Sequence, residues 1–277
     1  MTERERMDGF LFEELKGGNT RAFDKMFNDH FKAMFMNQFS VVFISLTIIG
    51  FLASAQDNNT SPDITWKQSK LNILTIGDSN GAADFGWPQQ LRKLLPSSTV
   101  INKSISGNTI GFDNLDQEKL NTLKNIERYL DEAYQELTLP HNFDAILINL
   151  GTNDTKCIFE HRQKEVPSNM VLLIQKIRKY MTDNQKICPP ICIITPSPMD
   201  EQKVNKEKYG GGDQRIQKNN QKLKKIAAKN QIGFVDTYTL LKPGFSQRTE
   251  DGVHLNEKTQ FLMASEIVSY LKLRNQY

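Results

Sequence analysis

From residue 72 onward the chain alternates short apolar runs with longer stretches of helical period. The runs at 72–76, 100–105, 145–150, 191–195 and 233–235 are rich in Ile, Leu and Val and short enough to be strands. Between them, 87–95, 117–137, 168–181 and 214–229 repeat apolar residues every three or four positions, and 257–273 closes the chain in a further helix. Strand and helix in alternation predict a mostly parallel five-stranded sheet covered on both faces, a three-layer α/β/α domain over 71–277. No internal repeat interrupts it, and a segment of about 200 residues is one domain by size.

The first 70 residues follow a different pattern. Residues 39–55, FSVVFISLTIIGFLASA, carry no charge and close on Ala53-Ser54-Ala55 before Gln56. An apolar core ending in a small-residue cleavage site predicts a signal peptide over 36–55 and a periplasmic or secreted product. The alternative is an uncleaved anchor that holds the protein to a membrane through 39–55, although the run is shorter than the roughly 20 apolar residues of a span. Residues 56–70, QDNNTSPDITWKQSK, read as a polar linker. Residues 1–35 form a charged extension with helical spacing through Phe12, Leu15, Phe23, Met26 and Phe27. Signal peptides normally open a chain, so this extension reads as fused or mis-started, and Met34 and Met36 each offer a start that omits it. Within it, residues 10–35 resemble the opening helices of extracytoplasmic-function sigma factors, through LKGGNTRAFDKMF, but no promoter-reading region follows.

Composition narrows the function classes. With 277 residues, 38% hydrophobic and 24% charged, the chain is of ordinary globular make-up, neither fibrous nor disordered. A formal charge of +3 without a dense Lys/Arg tract gives no nucleic-acid footprint. Three cysteines, Cys157, Cys188 and Cys192, are too few and too widely spaced for a metal site, and the odd number leaves at least one unpaired within the chain.

Open parallel sheets bind ligands beyond the carboxyl ends of their strands. There the sequence places Ser79 after the first strand, Ser106-Gly107-Asn108 after the second and Gly151-Thr152-Asn153-Asp154 after the third; Asp251-Gly252-Val253-His254 precedes the last helix. A serine hydroxyl becomes a nucleophile when a base removes its proton and a third group orients that base. Ser79, His254 and Asp251 supply these three roles. The backbone N–H groups of Ser79 and Gly107 and the side-chain amide of Asn153 supply donors for an oxyanion, the largest single term in acyl transfer. Glycine at 107 lets the backbone approach a substrate closely. Asp78 and Asp154 read as structural acids that hydrogen-bond nearby backbone.

The order Gly77-Asp78-Ser79, Gly107, Gly151-Thr152-Asn153-Asp154 and Asp251-x-x-His254 resembles the SGNH, or GDSL-type, hydrolases over nearly all of 71–273. LGTNDTK at 150–156, SGNT at 106–109, GGGDQ at 210–214 and DGVHL at 251–255 are most similar to the bacterial arylesterases and acyltransferases among them. The resemblance implies a flavodoxin-like sheet, a Ser79–Asp251–His254 triad and no metal or other cofactor. Two departures bear on substrate: Asn80 stands where the family has leucine, and 81–85 differs from the usual turn into the first helix.

Taken singly, Ser79 is an ordinary turn residue, Asn153 an ordinary helix cap and Asp251-Gly252 an ordinary turn. Their joint order favours chemistry. Two hypotheses follow: a serine esterase that hydrolyses or transfers small acyl groups from small-molecule or glycan esters, or a catalytically idle domain that binds a glycan or lipid on the same fold. Acyl length, the alcohol, the acceptor and the oligomeric state stay open at this level.

Overall fold

The chain divides into a unit of Met1–Lys67 and a unit of Gln68–Tyr277. The computed structural model describes residues 70–137 and 142–274, all in the second unit. The expectations for the extension at 1–35 and the apolar segment at 36–55 therefore lie outside the described residues, as does nearly all of the linker at 56–70. Among the described residues no helix is long and apolar enough to cross a membrane.

Five parallel strands form one sheet in the order β2-β1-β3-β4-β5. They are β1 (Asn72–Gly77), β2 (Thr99–Asn102), β3 (Ala145–Asn149), β4 (Ile191–Ile194) and β5 (Gly233–Val235). This is the flavodoxin-like order, in which the chain runs outward in one direction from β1 to β2 and in the other from β3 to β5. The helices that matter for packing are α1 (Ser79–Ala82), α2 (Trp87–Leu94), α3 (Thr122–Glu136), α4 (Glu165–Asp183), α5 (Lys206–Tyr209), α6 (Gly212–Lys229), α7 (Thr237–Leu241) and α8 (Glu257–Arg274). On one side α3 packs on α4 and α4 on α6; α2 packs on α8.

Both faces of the inner strands are covered, which is why their sequences are apolar throughout rather than alternating. Every residue of β3 is buried, and Ile73, Leu74 and Ile76 of β1 have no exposed surface. The larger core gathers Leu74, Ile76, Ile146, Ile148, Ile126, Leu130, Leu173 and Ile177 between the sheet and the α3, α4 and α6 layer.

Several boundaries differ from the pattern-based expectation, and two of the differences bear on the site. The helix expected from 117 begins at Thr122, because Leu120 pairs its C=O with the N–H of Thr109 and Asn121 caps the helix by accepting the N–H of Lys124. Two 3-10 turns, Asn114–Asp116 and Glu118–Leu120, occupy the preceding stretch. Strand β2 ends at Asn102, whose side chain accepts the N–H of Ser104 and donates to the C=O of Gly81. Pairing with β1 nevertheless continues, since Ile105 N–H donates to the C=O of Gly77. That extension carries residues 105–108 to the carboxyl end of β1.

Candidate active site

Ser79 lies one residue beyond the Asp78 cap of α1, directly after β1. Asp78 Oδ1 accepts the N–H of Asn80 at 3.0 Å, which turns the chain sharply out of the strand. This half of the structural reading of the acids is local, as expected. Asp154 differs: both its carboxylate oxygens accept the N–H of Ile110 at 3.0 Å, 44 residues away, so it braces one loop against another.

The last-helix segment returns to the same edge. His254 Nε2 is 2.9 Å from Ser79 Oγ, and His254 Nδ1 is 2.5 Å from Asp251 Oδ2. Asp251 is set by its own loop: Oδ1 accepts the N–H of Val253 at 2.9 Å and of His254 at 2.8 Å. Burial pushes the Asp251 carboxyl up, but the His254 backbone N–H, the His254 imidazole and the Val253 N–H outweigh it and hold the group at about 2. It is therefore ionised throughout the working pH range and fixes Nδ1 as the protonated nitrogen, leaving Nε2 to face the serine hydroxyl. Gly252 makes the turn possible: its φ is +85°, and a Cβ there would lie 2.7 Å from the Val204 backbone nitrogen.

The proposed oxyanion donors gather around the 105–108 turn. Gly107 has φ +89°, a left-handed conformation that favours glycine. Among the described residues no acceptor takes the backbone N–H of Gly107 or of Ser79. Asn153, buried at the start of a 3-10 turn after β3, donates from Nδ2 to the C=O of Asn108 at 3.0 Å, and Asn108 Nδ2 lies 3.4 Å from the C=O of Gly77. One amide proton of Asn153 is thus used in holding the turn, and a side-chain amide carries a second.

Several polar residues that periodicity did not single out build the support. Asn80, buried, accepts the N–H of Leu255 at 2.9 Å and the Gln260 side-chain amide at 3.1 Å, and its own amide lies 3.4 Å from the C=O of Val253. Gln260 also caps α2 by accepting the N–H of Trp87. Tyr209 donates its hydroxyl to Asn153 Oδ1 at 3.1 Å. Lys156, almost wholly buried, donates from Nζ to Asn114 Oδ1 at 2.8 Å. Asn80 carried a sequence signal as a departure from the family pattern, and Lys156 belongs to the quoted LGTNDTK run. Nothing in the sequence marks Tyr209, Asn114 or Gln260.

Buried acids lie close to the site. Burial raises the Asp154 carboxyl to about 7 against the opposing Ile110 N–H, and burial likewise raises Asp78. Cys188 is an exposed and Cys157 a partly buried free thiol, and Cys192 is buried. No group of three or more His, Cys, Asp or Glu among the described residues is placed to hold a metal ion. Two surface clefts of about 570 and 430 Å³ lie elsewhere, lined by Cys188, Pro190 and Gln231 and by Asp131, Tyr134 and Lys186. Neither touches the Ser79 edge.

In the known proteins, a carbohydrate acetylesterase from Sinorhizobium meliloti has the same fold, with TM-score 0.61 at 20% identity over 74% of this chain and 99% of that one. An inhibitor-bound aryl esterase from M. smegmatis matches with TM-score 0.59 at 19% identity, over 74% and 99%. A lipase/acylhydrolase from Enterococcus faecalis matches with TM-score 0.57 at 18% identity, over 74% and 96%. No curated protein matches the sequence. The likeness of residues 10–35 to a sigma factor is not borne out by any of these matches. Residues 74–260 match the GDSL-like lipase/acylhydrolase family, and on that match the chain belongs to this family of ester hydrolases.

Proposed function

We propose that the protein is a serine esterase that removes small acyl groups through an acyl-enzyme on Ser79. The observation that carries the reading is the continuous hydrogen-bonded line from Ser79 Oγ through the His254 imidazole to Asp251. Ser79 Oγ attacks the ester carbon while its proton passes to His254 Nε2; the carbonyl oxygen becomes an oxyanion facing the N–H groups of Ser79 and Gly107 and the free amide proton of Asn153. The tetrahedral species then expels the alcohol, which takes the proton from His254. Water, deprotonated by His254, attacks the acyl carbon, and Ser79 leaves with the proton returned to Oγ. The carboxylate of Asp251 stabilises the imidazolium in both halves.

Openness of the site favours small acyl groups on bulky alcohols. The side chains of His254 and Asp251 are each 54% exposed, so a sugar or aryl alcohol extends into solvent while water reaches the acyl-enzyme directly. The carbohydrate acetylesterase and aryl esterase that share the fold act in keeping with this class. A panel of p-nitrophenyl esters from acetyl to dodecanoyl, with acetylated sugars alongside, tests it. Turnover greatest at acetyl and abolished in Ser79→Ala supports the reading; activity that persists in Ser79→Ala, or none on any ester, overturns it. We further propose that the working enzyme begins near Gln56 and lies outside the cytoplasm, on the strength of the uncharged run at 39–55 and its Ala-Ser-Ala ending.

A further inference from the structure

A lysine with almost no exposed surface lies three residues beyond Asn153, and the triad chemistry does not use it. Lys156 Nζ donates to Asn114 Oδ1 at 2.8 Å, and Asn114, itself without exposed surface, donates from Nδ2 to the C=O of Gly107 at 2.6 Å. Two bonds therefore connect the ammonium to the residue whose N–H faces the developing oxyanion. The same ammonium lies 5.9 Å from the centre of the Tyr209 ring, and the Tyr209 hydroxyl holds Asn153 Oδ1. Lys156 thus stands behind both non-serine donors at once.

Local backbone gives a second reason for the arrangement. Leu115 and Asp116, directly after Asn114, both have left-handed φ, 56° and 55°. Neither is glycine, and consecutive residues in this region persist only where the surroundings over-determine them. The Asn114 side chain, locked between Lys156 and Gly107, is the anchor on their amino side. Gly107 is kept at φ +89° with the Asn114 amide 3.3 Å from the place where a Cβ would stand, so anchor and donor are in contact.

We propose that Lys156 is a positioning residue of the oxyanion site: through Asn114 it fixes the Gly107 turn, and beside Tyr209 it backs the Asn153 arm, so that both donors are oriented before charge develops. This inference rests on the serine-esterase reading. A preorganised donor is worth far more than one that must turn toward the charge as it forms, and a small misplacement transmitted from behind the chemistry lowers turnover rather than affinity.

The ammonium is held near its limit. Burial lowers Lys156 to about 8, the Lys208 ammonium on α5 adds to the lowering, and the carboxylates of Asp154 and Asp78 oppose it. Loss of its proton removes the positive charge from the network and turnover falls with it. Lys208 is exposed and lies over the outer Tyr209 ring at 5.2 Å, so it is a lever on Lys156 from outside the site.

The test uses the full chain with p-nitrophenyl acetate across neutral to alkaline pH, with thermal unfolding as the check on folding. Lys156→Met is expected to lower kcat by about 10- to 100-fold with KM little changed. The wild type is expected to lose kcat above about pH 8. Lys208→Ala is expected to keep its turnover at neutral pH and to move that alkaline limb upward. A folded Lys156→Met with wild-type kcat, or with KM alone raised, overturns the inference; so does a wild-type limb that Lys208→Ala leaves in place, a measurement that stands even if Lys156→Met does not fold. Esterase activity surviving Ser79→Ala would overturn the serine reading and this inference together, whereas Ser79-dependent activity indifferent to Lys156 overturns the inference alone.

Discussion

Asn80 Oδ1 accepts the backbone N–H of Leu255 at 2.9 Å, so the residue after the serine is tied to the residue after the histidine across 175 positions of chain. The bond joins the β1 turn to the loop before α8, and with the Gln260 amide it closes a buried polar knot beside Ser79 and His254. A leucine in this place would fill the volume but leave two buried donors without an acceptor. Asn80→Leu is therefore expected to cost about 1–3 kcal/mol of stability, the usual cost of an orphaned buried polar group. Urea unfolding measures that part. Because the bond fixes His254 relative to Ser79, kcat is expected to fall as well; a loss of stability with kcat intact would make Asn80 a packing residue only.

Asp251 accepts the imidazole and two backbone N–H groups at 2.5–2.9 Å and the Thr249 hydroxyl at 3.4 Å. Asp251→Asn keeps the shape of the side chain but can no longer accept from Nδ1–H and from both backbone groups, and it favours the wrong imidazole tautomer. A fall in kcat on the order of 10⁴-fold is expected, with the fluorophosphonate labelling of Ser79 slowed in parallel. Labelling at the wild-type rate would remove Asp251 from the triad.

The amide of Asn153 gives one proton to the Asn108 carbonyl, and the proposed mechanism assigns the other to the oxyanion. Replacing Asn153 by alanine is expected to lower kcat by roughly 10²- to 10³-fold while KM changes little, as for an oxyanion donor. Steady-state kinetics on an acetyl ester separate this from the opposite result, a raised KM at constant kcat, which would assign Asn153 to substrate binding.

Asp154 gives a pH signature in stability. Its carboxyl is raised by burial from 3.8 to about 7, so between these values the folded protein binds a proton that the unfolded chain has released. Stability is therefore expected to fall as pH rises through that window, with Asp78, also raised by burial, adding in the same sense. Lys156, lowered from 10.5 to about 8, acts in a separate window and with the opposite slope, since there the unfolded chain holds the extra proton. Asp154→Asn should flatten the acidic-window slope; each kcal/mol appears as roughly 2–4 °C in Tm for a domain of this size. A wild-type Tm that is flat or rising from pH 4 to 7 contradicts the shift.

Export with cleavage predicts a mature amino terminus at or near Gln56. N-terminal sequencing of protein from the native host reads this directly, and a membrane-bound species that retains 1–35 would overturn it. Truncation to residue 56 should leave ester hydrolysis unchanged, because Ser79, Gly107, Asn153, Asp251 and His254 all lie within the unit of Gln68–Tyr277.

The amino-acid sequence by itself determined the five strands, their parallel character, the main helices and the order of the blocks that meet at the candidate site. It could do so because these are local properties: a strand buried on both faces must be apolar along its length, and a helix that covers it must repeat every three or four residues. Strand edges and the onset of α3 were less legible, since Asn102 and Asn121 end or begin elements through side-chain bonds that periodicity does not register. Only the tertiary structure decided what holds the site in shape. Asn114, Tyr209 and Gln260 are in sequence ordinary polar residues, and Asn80 and Lys156 are marked there only by the family pattern; each acquires its role from a buried partner, in most cases brought from tens of residues away. A polar side chain in water has no preferred partner, whereas one buried in the fold must bond to whatever the packing sets beside it, and that neighbour is a product of the whole chain rather than of the segment that carries the residue.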